Sequence, residues 1–257
     1  MNMRKALIPL LLIQILLPAC GEQKKDKAAL LERLNLQERY SEAVERATEF
    51  MRSDPDDVRL FYYRGWSQLL LGKQAMAASD FEQCLRMDPE YYGGYKGMAE
   101  IFLQRKLYDM AALNYDRALK LAPGNDLKAA LTGNMGYLLY LQKKPREAEE
   151  ALLRAITLKD DAALHWRLGH IYYLQKKRDK ALHAWKEALK RPFRERKFRH
   201  IILFDLAYYY YKDKKDMKKA LPYMEEALML SPNDRLYLSL YGKIEAGENG
   251  SSTHSPP

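Results

Sequence analysis

The sequence predicts an all-α protein assembled from five to six stacked helix hairpins and a closing helix, and three observations lead there. First, an alanine returns at near-fixed intervals: Ala43, Ala77, Ala111, Ala148, Ala181 and Ala220, in steps of 34, 34, 37, 33 and 39 residues. Second, the same neighbours follow each one. Seven residues on come Phe50, Cys84, Ala118, Ala155, Ala188 or Ala227, and twelve on come Pro55, Pro89, Pro123 or Pro232, with Asp160 in one repeat and Pro192 one place early in another. Third, twelve residues before the alanine stand Gly65, Gly136 and Gly169, with Ala99 and Tyr208 in two repeats. A period near 34 residues with small residues at set places and proline at the end of each repeat is the pattern of a helical array.

Near the start of the chain Arg4 and Lys5 precede ALIPLLLIQILLPA, an apolar run of 14 residues broken by proline. That run is short for a spanning helix, and its charged start and polar exit describe a secretory signal peptide over residues 1–19. The exit, Leu17-Pro18-Ala19-Cys20, resembles the bacterial lipobox, which implies lipid attachment at Cys20. More than one acyl chain makes a stable anchor. Gly21 rather than Asp follows the cysteine, which favours the outer membrane facing the periplasm, and residues 20–27 then form a charged tether.

Residues 28–57 hold the first repeat, with the right spacing at Ala43, Ala47, Phe50 and Pro55 but a poor first helix. Residues 58–91 show the hairpin most plainly. VRLFYYRGWSQLLLG has apolar residues spaced for one helical face, Gly72-Lys73 breaks it, and MAASDFEQCLRM supplies a second helix that ends at Asp88-Pro89. Two helices approach closely only where side chains are small, so Gly65 and Ala77 meet and Phe81 fills the space beside them. The same reading covers 92–125, 126–161, 162–195 and 196–233. A less apolar helix over 234–246 caps the array, as an end that meets water must. Residues 247–257, GENGSSTHSPP, have the composition of a disordered tail.

The motif set Ala77-Phe81-Cys84-Pro89, Ala111-Tyr115-Ala118-Pro123, Ala181-Trp185-Ala188 and Ala220-Met224-Ala227-Pro232 resembles the tetratricopeptide repeat. The resemblance spans roughly residues 28 to 246. It implies a right-handed α-solenoid that works as a protein–protein interaction scaffold, with the first helix of each hairpin lining a concave groove. Carried onto this chain, the groove positions hold Tyr62 and Trp66, Lys96 and Glu100, Tyr137 and Tyr140, Trp166, His170 and Tyr173, then Asp205 and Tyr209. Rings of this kind carry much of the binding energy at interfaces. The basic and amide clamp of the chaperone-binding members does not carry over; Asn134 and Arg167 are the only partial matches.

The chain is basic, with a formal net charge of +9. Part of that charge recurs at the corner between the two helices of each hairpin: Lys73, Arg105, Lys106, Lys143, Lys144, Lys176, Lys177 and Arg178. More lies in the spacer after the fifth hairpin, at Arg194, Arg196 and Lys197. Such a surface suits anionic headgroups or an acidic partner. Export argues against nucleic acid. Of the two cysteines, Cys20 is the lipid site and Cys84 sits at a small packing position, so no disulfide is expected. His165 and His170 are five apart and diverge on a helix, and no phosphate-loop, dinucleotide, nucleophile-elbow or Cys-x-x-Cys motif is present. No enzyme, cofactor or metal is expected.

The expectation is therefore a membrane-anchored, non-catalytic scaffold that holds other envelope proteins or their extended segments, as in assembly of an outer-membrane complex. An adaptor for peptidoglycan enzymes and an exported holdase are the alternatives. The oligomeric state is left open.

Overall fold

The structure, a computed structural model, describes residues 26–192 and 196–247, without the side chains of 196–198. The signal segment, Cys20, Arg194, the side chains of Arg196 and Lys197, and the tail from 248 lie outside the described residues. Thirteen helices are found among the described residues, and they pack as consecutive hairpins of an all-α solenoid class. None of them is long and apolar enough to cross a membrane. The chain divides into two compact units between Ala122 and Pro123.

The first unit contains α1 (26–36), α2 (Tyr40–Ser53), α3 (Val58–Leu70), α4 (Gln74–Met87), α5 (Tyr92–Gln104) and α6 (Tyr108–Leu121). The weak first repeat read at 28–57 contains a packed hairpin, α1 and α2 over 26–53: Leu31 of α1 and Ala47 of α2 are fully buried together with Leu60 of α3. Phe81 of α4 is fully buried too. Its ring is seated between two glycines of neighbouring first helices: a Cβ on Gly65 would come within 2.8 Å of it, and one on Gly97 within 2.4 Å. A hydrogen atom is the only side chain that fits either place, so the ring keys α4 into both α3 and α5. Cys84 is buried one turn further on, its thiol pushed up to about 12 by burial, and it packs as a small apolar residue.

The second unit contains α7 (Gly124–Leu141), α8 (Pro145–Leu158), α9 (Ala162–Leu174), α10 (Arg178–Leu189), α11 (Arg196–Lys212), α12 (Met217–Leu230) and α13 (Arg235–Glu245). Its core gathers Leu152, Trp185, Leu203, Leu206, Tyr209 and Met224 around the repeating alanines. Trp185 takes the place of Phe81 and lies against Gly169, where a Cβ would meet its indole at 2.3 Å. Asp234 caps α13 by accepting from the backbone N–H groups of Leu236 and Tyr237, and α13 buries Tyr237, Leu240 and Ile244.

The corners share one geometry. At each, the chain enters the left-handed region at a single residue: Glu38, Gly72, Lys106, Lys143 and Lys176 have φ between 60° and 75°. Paired bonds close the helix end, for example Lys144 N to Leu139 O at 2.9 Å with Lys143 N to Tyr140 O at 2.9 Å. These are Schellman caps, and only the corner at Gly72 supplies the glycine that such a cap favours.

The corner between α11 and α12 is one residue longer. Asp213 N and Lys214 N both donate to Tyr209 O, Asp216 N reaches back to Tyr210 O, and the left-handed residue is Lys215 at φ 53°. The extra residue moves everything before it by one place. The small residue of α11 is therefore Ala207, fully buried, and not Tyr208 as counting back twelve residues from Ala220 suggested.

Candidate partner-binding face

The first helices of the hairpins carry the candidate residues, and each unit arranges them differently. In the first unit Tyr62 and Trp66 flank Gly65 on α3, three places before it and one after. Tyr62 is only 8% exposed, inside a cluster of rings with Tyr63, Trp66, Tyr91 and Tyr92 at centroid distances of 5.1 to 6.5 Å. Burial drives its hydroxyl pKa well above the usual tyrosine range. Lys96 reaches across from α5 and places its ammonium 4.8 Å from the Trp66 centroid and 5.9 Å from that of Tyr62. It also donates to the Tyr62 hydroxyl at 3.2 Å. This is a cation held on two ring faces. Glu100 accepts from the Tyr115 hydroxyl at 2.8 Å and so ties α5 to α6.

In the second unit the same two places around Gly169 hold Trp166 and His170. The next first helix brings Asp205, whose Oδ2 accepts from Trp166 Nε1 at 2.7 Å and lies 2.8 Å from His170 Nε2. Tyr173, one turn on, donates to Asp213 at 2.9 Å and carries the Arg178 guanidinium 3.6 Å above its ring. Burial and the bond to Asp213 hold the Tyr173 proton in place by raising its pKa. On α7, Tyr137 is 42% exposed and Tyr140 half-buried, with ring centroids 6.3 Å apart. Asn134 accepts from Arg167 at 2.7 Å and so joins α7 to α9. The side chains of α7 and α9 are thus stitched into one face, and those of α9 and α11 likewise.

Three candidate residues change standing. Tyr62 is buried in the core of the first unit and offers a partner little surface. Tyr209 is fully buried and lines no open surface. The longer corner after α11 makes it the counterpart of Ile171, a core position. The positions equivalent to Trp166 and His170 are instead Phe204 and Tyr208. Arg178, counted among the basic corner residues, is committed: its Nε lies 2.9 Å from Asp213 Oδ1 and its plane stacks on Tyr173. The corner residues Lys73, Arg105, Lys106, Lys143, Lys144, Lys176 and Lys177 are exposed. Lys177 also pairs with Glu149 at 2.8 Å. No local pattern marks Asp213 as an anchor, because its partners lie 35 and 40 residues away in the chain.

The tetratricopeptide repeat pattern matches residues 37–83, 75–126 and 167–235, more than half of the chain. U-box domain-containing protein 70 of Oryza sativa subsp. japonica is 34% identical over 89 residues, which is 35% of this chain and 11% of that protein. The chain thus spans about a tenth of the length of that relative. The structure is similar to a chain of the APC/C hetero-tetramer Cut9-Hcn1, with a TM-score of 0.70, 19% identity and coverage of 84% of this chain and 41% of that one. It is also similar to pilF of Pseudomonas aeruginosa, with a TM-score of 0.62, 14% identity and coverage of 89% and 99%. At these identities the two structures bear on the fold alone.

Proposed function

Because the chain belongs to the tetratricopeptide repeat family and is a protein–protein interaction scaffold, we propose that it is a non-catalytic, membrane-anchored scaffold of the bacterial envelope. In this reading Cys20 carries the lipid, and the face made by α7, α9 and α11 binds an extended segment of another envelope protein during assembly of an outer-membrane complex. One observation carries the binding site. Tyr137, Tyr140, Trp166, His170 and Tyr173 stand part-exposed on adjoining first helices, and hydrogen bonds hold the last three rings in position, Trp166 and His170 on Asp205 and Tyr173 on Asp213. Rigid amphipathic rings bind at low entropic cost, and these are fixed before a partner arrives. The anchor rests on the apolar stretch that ends in Leu17-Pro18-Ala19-Cys20. An envelope location also rules nucleic acid out as a partner.

The test is crosslinking in the cell with the native chain, compared with a variant carrying Tyr137→Ala and Trp166→Ala. One dominant partner that disappears in the double variant is expected. In parallel, Cys20→Ser should abolish labelling by an alkyne fatty acid and move the protein out of the membrane fraction. A partner list unchanged by the double variant would defeat the binding site, and unchanged labelling would defeat the anchor.

A further inference from the structure

We propose that the outer face of α13 receives a helix of a partner protein, one that lays a bulky apolar side chain on Gly242 and carries a small residue four places before it and three after it. The site is not the face of α7, α9 and α11 and does not depend on that reading.

α13 begins as two other first helices do. Asp57, Asp161 and Asp234 each accept from the backbone N–H two residues on, and each is followed eight residues later by a glycine: Gly65, Gly169 and Gly242. In α3 and α9 that glycine is buried, because the second helix of the hairpin lays a ring on it. A Cβ on Gly65 would come within 2.8 Å of Phe81, and one on Gly169 within 2.3 Å of Trp185. A Cβ on Gly242 would meet nothing within 4 Å. Gly242 is exposed, as are Leu238 one turn before it, at 49%, and Ala246 one turn after it. The opposite side of α13 is buried, at Tyr237, Leu240 and Ile244. Among the described residues α13 is thus the first half of a hairpin that lacks its second half. The positions of Tyr62 and Trp66, which meet the next first helix through Lys96, hold Ser239 and Lys243 in α13. Polar there, α13 suits one further helix and not a further repeat.

The molecule itself shows what covers such a face. In the second helices from α4 to α12 the side chain over the small residue is Phe81, Tyr115, Leu152, Trp185 or Met224, each with alanine four places before it and alanine or cysteine three after it. Those small residues let the two axes approach until the bulky side chain fills the gap. A second copy of the chain cannot bring this pattern, because every helix that carries it has it buried in its own hairpin. A second α13 would instead oppose Leu238 and Tyr241 to their own counterparts, and such bulk holds two axes apart. Residues 248–257 contain no aromatic residue, leucine, isoleucine, valine or methionine with which to fill the place. The fitting occupant is therefore an amphipathic helix of another protein, seated by its apolar stripe.

The probe is a synthetic peptide, capped at both ends, with the sequence of residues 177–190, which contains α10 and its Ala181-Trp185-Ala188. It is titrated into the isotope-labelled full chain while backbone amide shifts are followed. Amide shifts register weak binding, as expected of a short helix that is marginal on its own. Saturable shifts at α13 are expected, and Trp185→Ala in the peptide should weaken binding at least about tenfold, as loss of an interface anchor does. In the chain, Gly242→Leu is the matching variant. Its side chain meets open space and a helix interior prefers leucine to glycine, so the variant should fold with a raised denaturation midpoint. It should nevertheless bind the peptide at least about tenfold more weakly, because the slot is filled. No saturable shift at α13, or equal binding by the native chain and Gly242→Leu, would overturn the proposal. So would a dimer of the chain alone that Gly242→Leu abolishes, since a second copy would then hold the face.

Discussion

The two units place aromatic side chains at the same two points of the repeat, yet they complete them with opposite charges. Around Gly65 the rings of Tyr62 and Trp66 hold the ammonium of Lys96; around Gly169 the rings of Trp166 and His170 hold the carboxylate of Asp205. A second contrast lies deeper between the helices of a hairpin. Arg64 and Asp80 join α3 to α4 through two bonds, at 2.9 and 2.7 Å, with Asp80 only 4% exposed. The same places in α9 and α10 hold Leu168 and Ala184, both buried. One backbone plan thus accepts a cation or an anion on its outer face, and an ion pair or an apolar pair within. The repeat fixes where side chains meet and leaves open what they are.

The largest effect that breaks this comparison comes from the ring that keys the first unit. Phe81→Ala should cost about 3–5 kcal/mol of stability by chemical denaturation, the range for emptying a buried aromatic site. The two glycines that seat the ring have no side chains with which to refill the space. A loss below about 1 kcal/mol would mean that α3 and α5 close over the gap.

Next comes the ion pair. Asp80→Ala leaves the Arg64 guanidinium, 21% exposed, without its partner and should cost about 2–3 kcal/mol. The second unit already shows an apolar alternative at this site. Arg64→Leu combined with Asp80→Ala, which copies Leu168 and Ala184, should therefore recover most of the loss. A double variant as weak as Asp80→Ala alone would mean that the ion pair is needed for more than filling the position.

Much of this was legible from the chain. The alanine spacing located the hairpins, and Gly65, Ala77 and Phe81 meet as small residues and a filling ring should. What was missed has a common cause. Counting by a fixed period cannot see one extra residue in a corner, so the count fell on Tyr208 rather than Ala207 and took the core residue Tyr209 for a surface one. Contacts between successive repeats, such as Lys96 on Trp66 or Trp166 on Asp205, join residues 30 to 39 places apart and leave no local pattern. The caps were hidden for another reason. Lysine in the left-handed region costs only about 1 kcal/mol, too little for the sequence to demand glycine at each corner.

That cost gives a matched pair of smaller effects. Gly72→Ala, in the first unit, meets no steric contact within 4 Å but must hold φ 75°, so it should lose about 1 kcal/mol. Lys143→Gly, in the second unit, relieves the same strain at φ 61° and should gain about 0.5–1 kcal/mol. Both are read as shifts in the denaturation midpoint. Equal signs would show that the corners are not equivalent.

The smallest effect separates the units by acid. All five histidines follow residue 160, so the first unit has none. In the second, His200 has its Nδ1 2.7 Å from the Tyr237 hydroxyl, and its pKa is lowered by burial against a weaker opposing pull from Asp234. The folded state therefore favours the neutral ring. Above the unfolded value of about 6.5 both states are neutral and the contribution is intact. As the pH falls below it, the unfolded chain binds the proton first, and stability drops until the folded pKa is passed. His200→Gln should remove this part of the slope between pH 7 and 5 while leaving the rest of the acid titration unchanged. Because the group sits on α11 against α13, the loss should appear as earlier amide exchange in those two helices, with α3 to α6 unaffected.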